Sequence, residues 1–186
     1  KDMSELANTV ANEIIKYSEQ PFAFFGHSMG AIVAYETARQ LSTMGTSQPV
    51  HLFLSARAAP HLQENTDALR FLDDESFLDS LQKTYGAVPE AIRHSAELRQ
   101  IFLPILRADV ELLETYEESS STPLNCPITA LGGINDPAIS REKLEGWKTR
   151  TKSEFKQYGF PGKHFFIDEE RHSVVAAITN DLAHSL

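Results

Sequence analysis

The most constraining feature of the chain is a serine set between two glycines in the segment FAFFGHSMG, residues 22–30. The aromatic run at residues 22–25 is typical of a short, fully buried parallel strand, and an apolar helical pattern follows the motif. A G-x-S-x-G sequence between a strand and a helix predicts a nucleophile elbow, in which the serine takes a strained backbone conformation. We expect glycine at Gly26 and Gly30 to remove side chains that would clash there, which leaves the Ser28 hydroxyl exposed at the carboxyl edge of a sheet.

Hydrophobic periodicity predicts that strands and helices alternate on both sides of this motif. The predicted helices cover residues 4–18, 31–45, 140–149 and 169–184, and the predicted strands cover residues 22–25, 50–54, 128–131 and 155–160. Residues 61–118 have a helical pattern without a convincing strand, and Pro104 is predicted to kink it. This alternation predicts an α/β fold with a mostly parallel, doubly wound sheet.

The negative charge of the chain is concentrated in its middle third. The formal net charge is −9, and residues 60–120, which we call the middle segment, carry thirteen acidic and five basic side chains. Such a segment is either a solvated helical face or a helical insertion into an α/β domain, and the two interpretations are compatible. We therefore predict an α/β core of residues 1–59 and 121–186 with the middle segment inserted. The acidic balance argues against nucleic acid as a partner.

Other features exclude several classes of protein. The single cysteine, Cys126, cannot form an internal disulfide, so a reducing compartment is favoured and we expect a cytoplasmic protein. Because Cys126 precedes Pro127 at a strand start, it is interpreted as a small buried side chain rather than a nucleophile. No apolar run approaches the roughly 18 residues of a membrane span. No cysteine or histidine spacing predicts a metal site, and we expect a monomer without a cofactor.

A serine nucleophile needs a base and an orienting acid, which in this type of fold follow in the order serine, acid, histidine. Asp136 follows the strand at residues 128–131, and His164 follows the strand at residues 155–160, so both lie in loops at the carboxyl edge. Alone, Asp136 would be interpreted as a turn or cap residue and His164 as a loop histidine. Their joint placement after Ser28 favours a triad instead, with the backbone N–H of Met29 as one oxyanion donor.

The other histidines are less suitable as the base. His27 lies within the elbow, where we expect it to point away from its neighbour's hydroxyl, and three others precede the candidate acid: His51, His61 and His94. His172 and His184 fall in the last predicted helix, where a solvated surface side chain is the simpler interpretation.

The sequence resembles the type II (external) thioesterases of nonribosomal peptide and polyketide synthesis, a family of α/β-hydrolases. The resemblance rests on words along the whole chain: PFAFFGHSMGAIVAYETAR, HLFLSARAAPHL, LPILRADVELLETY, CPITALGGINDPAI, EGWKTRT and FPGKHFFI. It implies hydrolysis of acyl groups from the 4′-phosphopantetheine arm of a carrier protein, which removes misprimed or stalled units. It also implies that Ser28 is the nucleophile, Asp136 the acid and His164 the base, with the middle segment as a lid over the nucleophile.

Three questions stay open at the level of sequence. The medium-chain thioesterases of fatty-acid synthesis share these words, and a general esterase is a further alternative. In hydrolases of this fold, several strands and an oxyanion loop precede the elbow, whereas here one helix precedes it. We therefore expect a fragment of a longer thioesterase, so that a non-catalytic remnant or interaction module is the alternative from another class.

A basic stretch suggests where an acidic carrier protein would dock. Residues 141–163 contain seven basic and three acidic side chains, a net charge of +4, whereas the acidic middle segment is a poor surface for an acidic partner. We hypothesise that Lys148, Arg150 and Lys152 contribute to docking; the alternative is a solvated helix face.

Overall fold

A computed structural model describes residues 2–17, 19–63 and 68–184 of the chain. The strands are β1 (Ala23–His27), β2 (His51–Ser55), β3 (Ile128–Gly133) and β4 (Phe155–Phe160). The α-helices are α1 (Met3–Ile15), α2 (Met29–Met44), α3 (Asp74–Tyr85), α4 (Glu90–His94), α5 (Ala96–Glu114), α6 (Arg141–Glu145), α7 (Phe166–Glu169) and α8 (Arg171–Leu182). Short 3-10 helices cover Pro60–Leu62, Leu69–Phe71 and Gly146–Arg150. None of these described helices has the length and apolar character that a bilayer span requires.

The four strands form one parallel sheet in the order β1-β2-β3-β4. Side chains alternate between its faces: Leu52 and Leu54 belong to a core cluster with α2, whereas Phe53 between them belongs to a cluster with α7 and α8. Both faces of the sheet are therefore covered, which explains the continuous burial of β2 and β3. The predicted α/β fold with a mostly parallel, doubly wound sheet is confirmed.

Several predicted element ends were wrong by a few residues. Helix α1 ends at Ile15, not at residue 18, which lies outside the described residues, and it begins after Asp2, whose carboxylate accepts a hydrogen bond from the Glu5 amide at 2.8 Å. The predicted helix at 140–149 is α6 continued by a 3-10 turn. The closing helix predicted for residues 169–184 is α8, which begins at Arg171 and ends at Leu182, and the short helix α7 before it was not predicted.

The middle segment lies between β2 and β3 and packs around a hydrophobic cluster of its own. Phe77, Leu78 and Leu81 of α3 form this cluster with side chains from α4 and α5. Residues 64–67 of the segment lie outside the described residues. Helix α5 is one continuous element through Pro104, and no residue of it is fully buried.

The apolar stripe of α5 is divided among three environments. At its carboxyl end, Leu112 packs against the main core, whereas Leu98 joins the cluster of the middle segment. Ile101 and Ile105 are exposed. The apolar side chains of α5 therefore do not all belong to one hydrophobic core.

The helical pattern predicted through residue 118 ends early, because side chains beyond α5 bond to the core. The Tyr116 hydroxyl donates to the buried Glu36 carboxylate at 2.6 Å, and Arg150 binds both carboxylate oxygens of Glu118 at 2.6 and 2.8 Å. These charge-assisted contacts tie the exit of the middle segment to α2 and to the 3-10 turn after α6.

Candidate active site

Ser28 sits in a sharp turn that the backbone of the sheet holds in place. Its φ of 53° and ψ of −116° lie in a region that non-glycine residues rarely adopt. The Ser28 amide donates to the carbonyl oxygen of Ser55 at the end of β2, at 2.8 Å. The turn is therefore anchored to the neighbouring strand, and Ser28 lies at the carboxyl edge of the sheet as predicted.

Only one of the two elbow glycines is sterically required, and the steric reason expected for Gly30 was wrong. A Cβ atom on Gly26 would lie 2.1 Å from the carbonyl oxygen of Gly30, a backbone atom that cannot move aside. A Cβ atom on Gly30 would meet nothing within 4 Å. The close approach is thus between the Cα of Gly26 and the backbone of the first helical turn, so the crowded position is Gly26.

The loops that carry Asp136 and His164 are bonded to each other. The Ile134 amide donates to the Phe160 carbonyl at 2.8 Å, and the Asn135 amide donates to the Gly162 carbonyl at 3.0 Å. A Cβ atom on Gly133 would lie 2.2 Å from the Lys163 carbonyl oxygen, so a glycine is required where the two loops meet. This backbone contact brings the acid and the base together.

The structure brings the three predicted side chains into one hydrogen-bonded chain. His164 Nε2 lies 3.0 Å from Ser28 Oγ, and His164 Nδ1 lies 2.8 Å from Asp136 Oδ2. The second carboxylate oxygen of Asp136 accepts from the Ala138 amide at 2.9 Å, which fixes the orientation of the carboxylate. Both His164 and Asp136 are buried, so their hydrogen bond is shielded from water.

Three rings surround the His164 imidazole. The Tyr85 ring centroid lies 4.8 Å from it, the Phe165 centroid 5.2 Å and the His27 centroid 5.4 Å. Burial, reinforced by His164, lowers the pKa of His27 to about 4, although Asp136 and Asp168 oppose this shift. His27 is therefore neutral near pH 7, and its Nδ1 lies 2.9 Å from Ser55 Oγ rather than beside the Ser28 hydroxyl.

The backbone N–H of Met29 as an oxyanion donor stays a prediction, and its position in the chain is compatible with that role. Met29 is the first residue of α2, and the amides of a first helical turn have no partner within the helix. The helix dipole favours negative charge at the same point. Within the part of the chain that the structure describes, no cluster of three or more His, Cys, Asp or Glu side chains is arranged to hold a metal ion.

A cavity of about 590 Å³ lies between the middle segment and the sheet, beside the triad. Tyr85, which contacts the His164 ring, and Pro137, which follows Asp136, both line it. Its wall also includes apolar side chains of α5, among them Val110 and Leu113, together with the charged side chains of Arg57, Arg70, Glu114 and Lys143. Ser28, Asp136 and His164 are not among its lining residues, so the cavity adjoins neighbours of the triad, and its volume is large enough for an acyl chain.

Other residues singled out in the sequence lie elsewhere. His172 on α8 and His184 just beyond its end are both exposed. Burial raises the pKa of Cys126 to about 12, which agrees with an inert buried thiol. Arg150 does not fit the docking hypothesis, because it is buried and bound to Glu118. Lys148 and Lys152 of the same stretch are exposed.

Two contributors to this site, Tyr85 and Arg57, were not predicted as site residues from the sequence. Tyr85 lies more than 70 positions from His164 along the chain, at the end of a helix with an ordinary amphipathic pattern. Arg57 follows β2 at the carboxyl edge of the sheet, which was the one available signal.

The family model described as Thioesterase domain matches residues 1–182. The gramicidin S biosynthesis protein GrsT of Aneurinibacillus migulanus is 38% identical over 181 residues, which cover 97% of this chain and 70% of that protein. The human medium-chain S-acyl fatty acid synthase thioesterase is 32% identical over 171 residues, 89% of this chain and 63% of that protein.

The solved structures include similar folds. YbtT, a type II thioesterase from the yersiniabactin NRPS/PKS pathway, is 32% identical and superposes with a TM-score of 0.88 over 100% of this chain and 75% of that one. Its similarity extends through the middle segment as well as the sheet.

Proposed function

The chain belongs to the thioesterase domain family, and from this premise we propose that it is a serine thioesterase that hydrolyses acyl groups from the phosphopantetheine arm of a carrier protein. Its role is the editing of nonribosomal peptide or polyketide synthesis, the kind of pathway from which GrsT and YbtT come. The observation that carries the proposal is the chain of contacts from Ser28 Oγ through His164 to Asp136.

The geometry supports a two-step mechanism. His164 Nε2 accepts the proton of Ser28 Oγ as that oxygen attacks the thioester carbonyl carbon, and Asp136 stabilises the imidazolium that forms. The C–S bond then breaks, and His164 returns the proton to the leaving sulfur. A water molecule, deprotonated by His164, attacks the acyl-serine ester and releases the free acid and Ser28.

The Met29 amide stabilises the negative charge that develops on the carbonyl oxygen. A single donor of this kind contributes roughly 3–4 kcal/mol to transition-state stabilisation. The middle segment acts as a lid, because Tyr85 reaches the base from it and the cavity lies beneath it. Like the lid, the monomeric state and the cytoplasmic location remain predictions.

The triad is tested with an acyl carrier protein substrate and with a fluorophosphonate label. Wild-type protein should release the acyl group and be labelled on Ser28, because both reactions need an activated hydroxyl. Ser28→Ala should lose both, and Asp136→Asn should lower kcat by about 10⁴ because the imidazole takes the wrong tautomer. A folded wild-type protein that neither hydrolyses the thioester nor takes the label would be the non-catalytic module.

If kcat/KM for a p-nitrophenyl ester were as high as for the acyl carrier protein substrate, the protein would instead be a general esterase. The medium-chain fatty acyl alternative, favoured by the human relative, predicts a preference for saturated chains.

Carrier docking is tested by charge reversal at the exposed lysines of the basic stretch. Lys148→Glu with Lys152→Glu should raise KM for an acyl carrier protein several-fold, since complementary charge accelerates association, but spare N-acetylcysteamine thioesters. Arg171→Glu on α8, an exposed position outside the stretch, is the control. Equal effects on both substrates would exclude this surface.

A further inference from the structure

The cavity beside the triad contains a guanidinium without an anionic partner. Arg57 lines this cavity, and its side chain makes one hydrogen bond, from Nη2 to Gln63 Oε1 at 2.8 Å. Its Nε is buried and has no acceptor among the described residues, and the charged-state partners found for Arg57 there are tyrosines rather than carboxylates. Burial lowers the pKa of Arg57, but a guanidinium starts so high that it stays protonated at neutral pH.

A second unused donor lies on the partner of Arg57. The contact from Arg57 fixes the Gln63 amide, because the guanidinium can only donate and the oxygen must therefore face it. The nitrogen of the same amide, Nε2, is then a donor, and it too is buried without an acceptor in the described part of the chain. Buried donors without partners are costly, so two of them in bonded neighbours point to an acceptor that arrives with a ligand.

The other charged groups of the wall do not compensate Arg57. The Glu114 carboxylate accepts from the amides of Leu69 and Arg70 and lies 3.8 Å from the Arg70 guanidinium. Lys143 donates to the Ala138 carbonyl at 3.3 Å and has further interactions of its own. Glu114, the one carboxylate of the described lining, is thus already engaged and is not bonded to Arg57.

The position of Arg57 is fixed by the core. Its carbonyl oxygen accepts from the indole nitrogen of the fully buried Trp147 at 2.8 Å, so the backbone that carries the guanidinium is held rigidly. Rigid placement lowers the entropic cost of binding a ligand group.

Resting on the proposed thioesterase function, we propose that Arg57 and Gln63 form a subsite for a carboxylate on the acyl chain, so that the enzyme prefers carboxyacyl thioesters. The acyl carbonyl reacts at Ser28, the chain extends past Tyr85 and Pro137 into the cavity, and its carboxylate accepts from Arg57 and Gln63. The phosphate of the carrier arm is the other possible anion, but it lies many bonds from the thioester, on the opposite side from the acyl chain.

The test uses N-acetylcysteamine thioesters, which contain no phosphate. Succinyl, glutaryl and adipyl thioesters are each compared with the methyl ketone of the same shape, in which CH₃ replaces the carboxylate O⁻, and with the plain alkyl chain. For at least one of the three chain lengths, the wild-type kcat/KM for the carboxyacyl substrate should be about tenfold or more above that for the matching ketone. The ketone lacks the carboxylate and so cannot form the charge-assisted hydrogen bond. Ketone or alkyl chains hydrolysed as fast at every length would overturn the proposal and leave the thioesterase function intact.

Variants separate a specificity role from a structural one. Arg57→Met should reduce the carboxyacyl-to-ketone ratio by about tenfold, Arg57→Lys should retain part of it, and Gln63→Leu should reduce it less than Arg57→Met. Arg99→Met, in the middle segment but outside the cavity lining, is the control. A parallel loss on both substrates in Arg57→Met, with the ratio unchanged, would assign Arg57 to structure alone.

Binding gives a readout that does not need catalysis. Free glutarate or adipate should raise the melting temperature of Ser28→Ala more than pentanoate or hexanoate does, and Arg57→Met in that background should abolish the difference. The same melting temperature with both classes of acid would contradict the subsite even if thioester hydrolysis were absent.

Discussion

The sheet places its site residues through backbone contacts, whereas the middle segment reaches the same site through side chains. Ser28 is tied to β2 by its amide, and the loops of Asp136 and His164 are bonded to each other through main-chain groups. The middle segment instead packs around Phe77 and its neighbours and presents Tyr85 to the base. Two of its α5 side chains, Ile101 and Ile105, remain exposed.

This difference shows how one site can combine rigid chemistry with an adjustable pocket. Main-chain hydrogen bonds fix the reacting atoms whatever the side chains are, while a separate small cluster can open or repack at lower cost. The chemistry is therefore determined by the sheet, and the choice of acyl chain depends on the surface that the middle segment and Arg57 provide together.

The largest effect on stability is expected at the elbow, where adding one methyl group should have very different consequences at Gly26 and at Gly30. Gly26→Ala should prevent the elbow from forming, because its Cβ would overlap the Gly30 carbonyl, and we expect a loss of stability above about 4 kcal/mol together with loss of hydrolysis. Gly30→Ala, whose Cβ meets nothing within 4 Å, is the matched control and should unfold in urea close to the wild type. Equal midpoints for the two variants would show that backbone crowding does not determine the elbow.

A second pair of variants compares the two cores directly. Phe53 of β2 and Phe77 of α3 are 1% and 0% exposed, so truncation removes the same buried ring from each region. Phe53→Ala should lower the free energy of unfolding by about 3–5 kcal/mol. Phe77→Ala should mainly reduce amide protection in α3 and α5 and leave β2 and β3 protected, because the middle segment has its own cluster.

Hydrogen exchange followed by mass spectrometry distinguishes these outcomes. If Phe77→Ala reduced protection in the sheet as much as in α3, the two regions would form one cooperative unit, and the middle segment would not open independently of the sheet.

The smallest effect is expected for pH, through a buried carboxylate on α8. Burial alone would raise the pKa of Asp181, but hydrogen bonds from Lys156 at 2.9 Å and Thr129 at 2.8 Å outweigh it and hold the pKa below its usual value. The unfolded chain, with an aspartate pKa of about 3.9, binds this proton more readily. The contribution to stability is therefore fully present above that pH and is lost as the pH falls through the lower folded value.

Urea midpoints measured from pH 6 down to pH 3 test this linkage. Asp181→Asn should be less stable than the wild type at pH 6, and the difference should narrow in acid, whereas Glu117→Gln at an exposed position should follow the wild type throughout. A constant difference across that range would mean that Asp181 acts through packing rather than through its charge.

The sequence was most informative where backbone geometry restricts residue choice. The strand, serine and helix of the elbow, and the loops of Asp136 and His164, follow from local patterns and from the rule that parallel strands end at one edge. The sequence was less informative at helix ends such as that of α5, where the contact between Tyr116 and Glu36 joins positions 80 residues apart. No local pattern records such a contact.

The sequence by itself therefore determined the type of fold, the order of the site residues and the elbow, because these depend on local propensity and on chain connectivity. The tertiary structure alone decided that the crowding lies at Gly26 and not at Gly30, and that Arg150 is buried in an ion pair with Glu118. It also decided that Arg57 lines a cavity with a donor that has no acceptor. These properties depend on which atoms meet across the fold, and that is set by long-range packing rather than by neighbours along the chain.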